Sequence, residues 1–152
     1  RGSVLRGPSP EDGRPLKILL VEDNLDHVVI TRQAVTSILP CEVEVVNDGA
    51  EAVARLTQTS PAWSRPGLIL LDLHLPSMNG IDVLRRLRSD PAYNATPVIV
   101  LTAAGDDEAL ILDCYASGAN SFLSKPATDK RFAEALMVLV GSHRSPTETS
   151  PD

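Results

Sequence analysis

Short, almost wholly apolar runs alternate along the chain with longer stretches in which apolar side chains recur every three or four positions. Lys17-Ile18-Leu19-Leu20-Val21, Leu68-Ile69-Leu70-Leu71 and Pro97-Val98-Ile99-Val100-Leu101 are apolar at nearly every position rather than at every second one. That pattern suits strands buried on both faces, as in a parallel sheet covered by helices. Two weaker β runs, Cys41 to Val46 and Asn120 to Leu123, bring the strands to five. Helical spacing predicts helices over about Asp26–Leu39, with Val28, Thr31, Val35 and Ile38 inward, and over Ala50–Thr57, through Val53 and Leu56. Three more follow: Ile81–Arg88 with Leu84 and Leu87 inward, Asp106–Ser117, and Asp129–Val140 with Phe132, Leu136, Leu139 and Val140 inward. In the fourth helix, Leu112 and Cys114-Tyr115 are expected partly in the core. Leu110 and Ile111 then cannot both face inward at 3.6 residues per turn, and at least one should lie near the surface.

Strict alternation of five strands and five helices predicts an α/β doubly wound, five-stranded parallel sheet, because right-handed crossovers place helices on both faces. The flavodoxin-like strand order 2-1-3-4-5 is expected at this length. Residues 1–15 read as a disordered leader and 142–152 as a disordered tail rich in Ser, Thr and Pro. Residues 16–141 remain for one domain.

Composition narrows the classes. A net charge of −6 argues against nucleic acid or a membrane surface as the main partner. No apolar stretch approaches a membrane span and no signal-peptide pattern is seen. Cys41 and Cys114 are isolated thiols without metal-ligand spacing, which reads as a reduced, cytoplasmic setting.

The chemistry collects at strand ends. The first strand runs into Glu22-Asp23, the third ends at Asp72, the fourth at Thr102, and the fifth leads to Lys125. Ligands of open parallel sheets bind beyond those carboxyl ends. Three carboxylates on one edge repel unless a cation lies among them, and Mg²⁺ suits a site of few carboxylates that keeps several waters. A lysine adds a point charge for a phosphate, and a carboxylate can attack phosphorus to give an aspartyl-phosphate. Metal and lysine would spread the charge that develops on the phosphoryl oxygens, and Thr102 can donate to one of them.

With those residues in view, the chain resembles the receiver domain of two-component response regulators, the CheY-like family. The resemblance is carried by Val21-Glu22-Asp23-Asn24, Asn47-Asp48-Gly49-Ala50-Glu51-Ala52, Leu71 to Gly80, Leu101-Thr102-Ala103, Gly118-Ala119 and Ser124-Lys125-Pro126. It implies that Asp72 is the phosphoacceptor. It implies that Asp23, Asp72 and the backbone carbonyl of His74 hold Mg²⁺, with Glu22 reaching the metal through water. Thr102 and Lys125 would sense the phosphate, and Phe122 matches the family's aromatic switch position. Lys125-Pro126 resembles the family's cis peptide. Asp23 to His27, Cys114-Tyr115 and Asn120 to Leu123 look most like the stand-alone regulators paired with bacterial phytochromes. A sensor histidine kinase, in that case a bacterial phytochrome, is the expected donor, with a downstream protein target and a homodimer as further partners. Signalling would run through the face of helix four, strand five and helix five.

The remaining histidines admit two readings. His74 either influences hydrolysis or is a bystander whose carbonyl alone matters; His27 and His143 are too scattered to build a metal site with it. Ala104 departs from the polar residues often found there in the family. A flavodoxin would need a phosphate-cradling loop where Glu22-Asp23-Asn24 stands. A haloacid-dehalogenase phosphatase would need a second Asp where His74 stands. A degenerate receiver that only binds partners is the other alternative, against which all the phosphorylation residues are present. A receiver is consumed as a substrate in its own phosphorylation, so a signalling module rather than a turnover enzyme is expected.

Overall fold

The computed structural model describes residues 15–58, 65–103, 106–125 and 130–144. Its elements are β1 Leu16–Val21, α1 Leu25–Ile38, β2 Cys41–Val46, α2 Gly49–Leu56, β3 Leu68–Asp72 and α3 Gly80–Arg88. A 3₁₀ turn at Pro91–Tyr93 precedes β4 Val98–Thr102, α4 Glu108–Ala116, β5 Ser121–Ser124 and α5 Lys130–Arg144. The strands form one parallel sheet in the order β2-β1-β3-β4-β5. Most of the expected leader and tail, Ala104 and the Lys125-Pro126 peptide lie outside the described residues.

Every residue of β3 and β4 is buried, as their unbroken apolar runs require of strands covered on both faces. One core lies between the sheet and α2, α3 and α4, with Ala52, Leu56, Val83, Leu84, Leu87 and Cys114 in it. The other lies under α1 and α5, around Val28, Val35, Phe132, Leu136 and Val140. Short polar side chains set the helix starts by accepting orphan backbone N–H groups. Asn24 does so for α1, Asp48 for α2, Asn79 for α3 and Asp107 for α4.

Two expectations about α4 need correction. The helix begins at Glu108 rather than Asp106, because Asp107 caps it and the Asp106 carboxylate turns back to the Ala103 N–H (2.8 Å). Leu112 and Tyr115 are not core residues: they are 60% and 43% exposed. Cys114 fixes the inward face, and a pitch of 3.6 residues per turn then puts Leu110 and Ile111 within about 60° of it on either side. Both of those are half-buried, while Leu112 falls on the opposite side. At the other end of the chain α5 continues to Arg144, beyond Val140 where the apolar pattern stops.

Candidate functional site

Parallel strands end at one edge, and the chain leaves β1 toward β2 on one side while β3, β4 and β5 build on the other. The crevice at that switch point is where a doubly wound sheet offers a site. Register aligns the relevant ends: Val21 pairs with Leu71, Asp72 with Leu101, and Thr102 with Ser124. Glu22, Asp23, Asp72, Thr102 and Lys125, distant in sequence, therefore all come to this edge.

Lys125 Nζ lies at the centre. It donates to Glu22 Oε1 at 3.1 Å and Oε2 at 3.4 Å, to Asp72 Oδ2 at 3.3 Å, and to His27 Nδ1 at 2.9 Å. The carboxylates of Glu22 and Asp72 are almost wholly buried, and the lysine side chain is only 12% exposed. Burial holds the Glu22 carboxyl above the usual range, and the Asp72 charge adds to it, against hydrogen bonds from Lys125 and the Asn24 N–H. One ammonium thus does not balance the acids.

Glu22, Asp23 and Asp72 each present an oxygen, and these ligand atoms all lie within 4.8 Å of one another. Two of the three acids are buried and Asp23 is exposed, so the cluster opens to solvent on one side. An all-oxygen, partly solvated donor set with unrelieved negative charge fits a hard divalent cation that retains waters.

The loop after β3 is held in place from two sides. Gly80 N–H donates to Leu73 O at 2.9 Å, and a Cβ on Gly80 would lie 2.6 Å from Asp72 O, so α3 can start against the strand end only with glycine there. Gly49, the first residue of α2, meets the same loop: a Cβ on it would lie 1.9 Å from Met78 O. Ser77, in the left-handed region at φ 64°, accepts the Ala50 N–H on its hydroxyl at 3.3 Å. Inside this loop the His74 N–H donates to Asp72 Oδ1 at 3.2 Å.

The structure also brings in one side chain that sequence reasoning missed. His27, set aside by its spacing as a metal ligand, sits in the first turn of α1, where a helix leaving β1 overhangs the same edge. That position was the available signal. His74 does not stand alone either: its Nε2 lies 2.8 Å from Asp106 Oδ1, linking the loops after β3 and β4 across the mouth of the site. Thr102, buried, donates its hydroxyl to Leu123 O at 3.3 Å, and its carbonyl accepts the Lys125 N–H at 2.9 Å. Phe122 is half-buried, with its ring edge-on to Tyr115 at 5.5 Å and 81°.

A family model described as the response regulator receiver domain matches residues 18–137. Response regulator Rcp1 of Synechocystis sp. is 37% identical over 120 residues, which cover 77% of this chain and 81% of that protein. The crystal structure of its Mn²⁺-bound form matches with a TM-score of 0.70 at 30% identity, covering 91% of this chain and 100% of that one. The phosphorylated cyanobacterial phytochrome response regulator RcpA matches with a TM-score of 0.67 at 34% identity, covering 90% and 97%. The receiver domain of sensor histidine kinase PA1611 from Pseudomonas aeruginosa PAO1, solved with magnesium in its active-site cleft, matches with a TM-score of 0.67 at 31% identity, covering 84% and 98%.

Proposed function

The chain belongs to the response regulator receiver domain family, and from that premise we propose that it accepts a phosphoryl group on Asp72 with Mg²⁺ and signals through α4, β5 and α5. Receiver domains are signalling modules of two-component systems, and this one is similar to phytochrome-associated regulators. The observation that carries the proposal is the convergence of Glu22, Asp23 and Asp72 within 4.8 Å, with the Lys125 ammonium bonded to the two buried acids.

In this reading Asp23, Asp72 and the His74 carbonyl would hold the metal, with Glu22 reaching it through water. Bound Mg²⁺ would supply the positive charge that offsets the phosphoryl oxygens. One Asp72 oxygen forms the bond to phosphorus as the donor's N–P bond breaks, and the departing imidazole keeps the electron pair. The His74 N–H and the lysine hold the Asp72 oxygens in place for that attack. Lys125 then exchanges its Asp72 contact for a phosphoryl oxygen. The Thr102 hydroxyl turns from Leu123 O to another phosphoryl oxygen, and Phe122, adjacent to Leu123, moves with β5.

The donor would be the phosphohistidine of a sensor histidine kinase, a bacterial phytochrome by likeness to Rcp1 and RcpA, and the encounter a cytoplasmic one. No helix among the described residues is long and apolar enough to cross a membrane. Leu112 and Tyr115 on α4 and Met137 and Val138 on α5 are exposed on the two helices that pack against β5, which favours a protein partner there, a downstream target or a second copy.

Intact mass after incubation with a small phosphodonor and Mg²⁺ tests the proposal. A gain of one phosphate that disappears in Asp72→Asn and in excess chelator is expected. A gain that survives either treatment refutes it. An amide-exchange map with and without a phosphate mimic tests the switch: Lys125→Ala and Thr102→Ala should blunt the change in α4.

A further inference from the structure

We propose that His27 is a positioning residue for Lys125, an uncharged acceptor on which the ammonium pivots when it passes from Asp72 to a phosphoryl oxygen. This rests on the phosphoacceptor reading above. An ammonium has three N–H donors and no acceptor, so any partner at hydrogen-bond distance must offer a lone pair. Lys125 Nζ meets three partners, the Glu22 carboxylate (3.1 and 3.4 Å), Asp72 Oδ2 (3.3 Å) and His27 Nδ1 (2.9 Å). All three donors are therefore committed, and the contact to the histidine is the shortest.

The bond assigns the tautomer of His27: Nδ1 carries the lone pair and Nε2 the hydrogen. The ring is held at the right place by the backbone, because the His27 N–H donates to the Asn24 cap at 3.1 Å and fixes the first turn of α1 over the strand edge. Chemistry explains why an imidazole serves here. Three carboxylates already crowd the edge. A fourth acid beside Lys125 would neutralise the charge the lysine has to offer a phosphate and would add to what burial and the Asp72 charge already do in raising the Glu22 pKa. A neutral acceptor holds the ammonium without either effect. It also remains bonded when the Asp72 contact is given up, so the lysine head swings about a fixed point instead of collapsing onto Glu22.

The test combines a resonance and a cycle. In unphosphorylated wild-type protein the Lys125 Nζ protons should give a resolved NMR signal protected from exchange. His27→Ala should shift and broaden it, and His27→Gln, whose amide oxygen can accept the same bond, should largely restore it. Phosphoryl acceptance from a small phosphodonor with Mg²⁺ should slow by about tenfold in His27→Ala, the worth of one hydrogen bond to a charged group. His27→Gln should recover most of that rate. In a Lys125→Ala background the same His27→Ala change should alter the rate by less than about twofold. An unmoved Nζ signal, or an equal loss with and without Lys125, overturns the proposal. Wild-type protein that takes up no phosphoryl group overturns the phosphoacceptor reading instead, and the resonance arm still decides whether His27 holds the lysine.

Discussion

Replacing Lys125 by Met removes the cation bonded to two buried carboxylates while keeping the aliphatic stem. The Glu22 side chain is 0% exposed and that of Asp72 3%, so neither recovers full hydration when its partner goes. Breaking a buried pair typically costs about 3–5 kcal/mol; the mouth of this site opens to solvent beside exposed Asp23, so the lower end, about 3 kcal/mol, applies. With a urea m value of about 1.5 kcal/mol/M for a domain of this size, the midpoint falls by about 2 M in chelator. The pH dependence has a definite sign. The Glu22 pKa is already raised above 4.5, so between 4.5 and the raised value the folded state binds more protons than the unfolded chain. Wild-type stability therefore declines as pH climbs through that window and levels off above it. Without the lysine the Glu22 pKa rises further, so the loss in Lys125→Met grows as pH rises and shrinks toward acid. Glu22→Gln in the same chain should return most of it, and excess Mg²⁺ should return part. Equilibrium urea unfolding across pH makes the measurement. A midpoint shift under about 0.5 M near neutral pH, well below the ~2 M worked from the buried-pair cost, would refute the reasoning, as would one independent of pH.

Asp23→Asn should weaken Mg²⁺ binding more than Glu22→Gln, measured by titration calorimetry, because Asp23 is the proposed direct ligand; equal effects would reverse the two roles. Tyr93, buried, donates its hydroxyl to Leu56 O at 2.5 Å, and burial pushes its phenol up to about 12. Ultraviolet titration should show an ionisation there that Tyr93→Phe abolishes, and stability should fall between roughly pH 10 and 12 as the unfolded chain releases that proton first. Leaving the Leu56 carbonyl unpaired should cost about 1–2 kcal/mol in urea unfolding. Leu112→Glu and Met137→Glu should each weaken self-association in sedimentation across concentration, with and without a phosphate mimic. A dimer that tolerates both lies on another face.

Local pattern was enough for the sheet. An apolar run such as Leu68–Leu71 records that both faces of its strand are covered, and helical spacing such as Val28, Thr31 and Val35 records which side of a helix is buried. Alternation of the two, with right-handed crossovers, leaves few topologies, and placing Asp72 and Thr102 at the carboxyl edge followed from where the runs ended. The orientation of α4 was not legible, because four consecutive apolar residues, Ala109 to Leu112, carry no periodicity and only packing against β5 and α3 selects Cys114 as the inward residue. Side-chain encounters were beyond the sequence for a different reason. His27 and Lys125 are separated by 98 positions, and His74 and Asp106 by 32. Hydrophobic period says which face of an element meets the core, but it is silent about which polar groups the loops and crossovers bring within 3 Å of each other at the edge. Those meetings exist only once α1, the loop after β3 and the end of β5 are stacked against the same sheet.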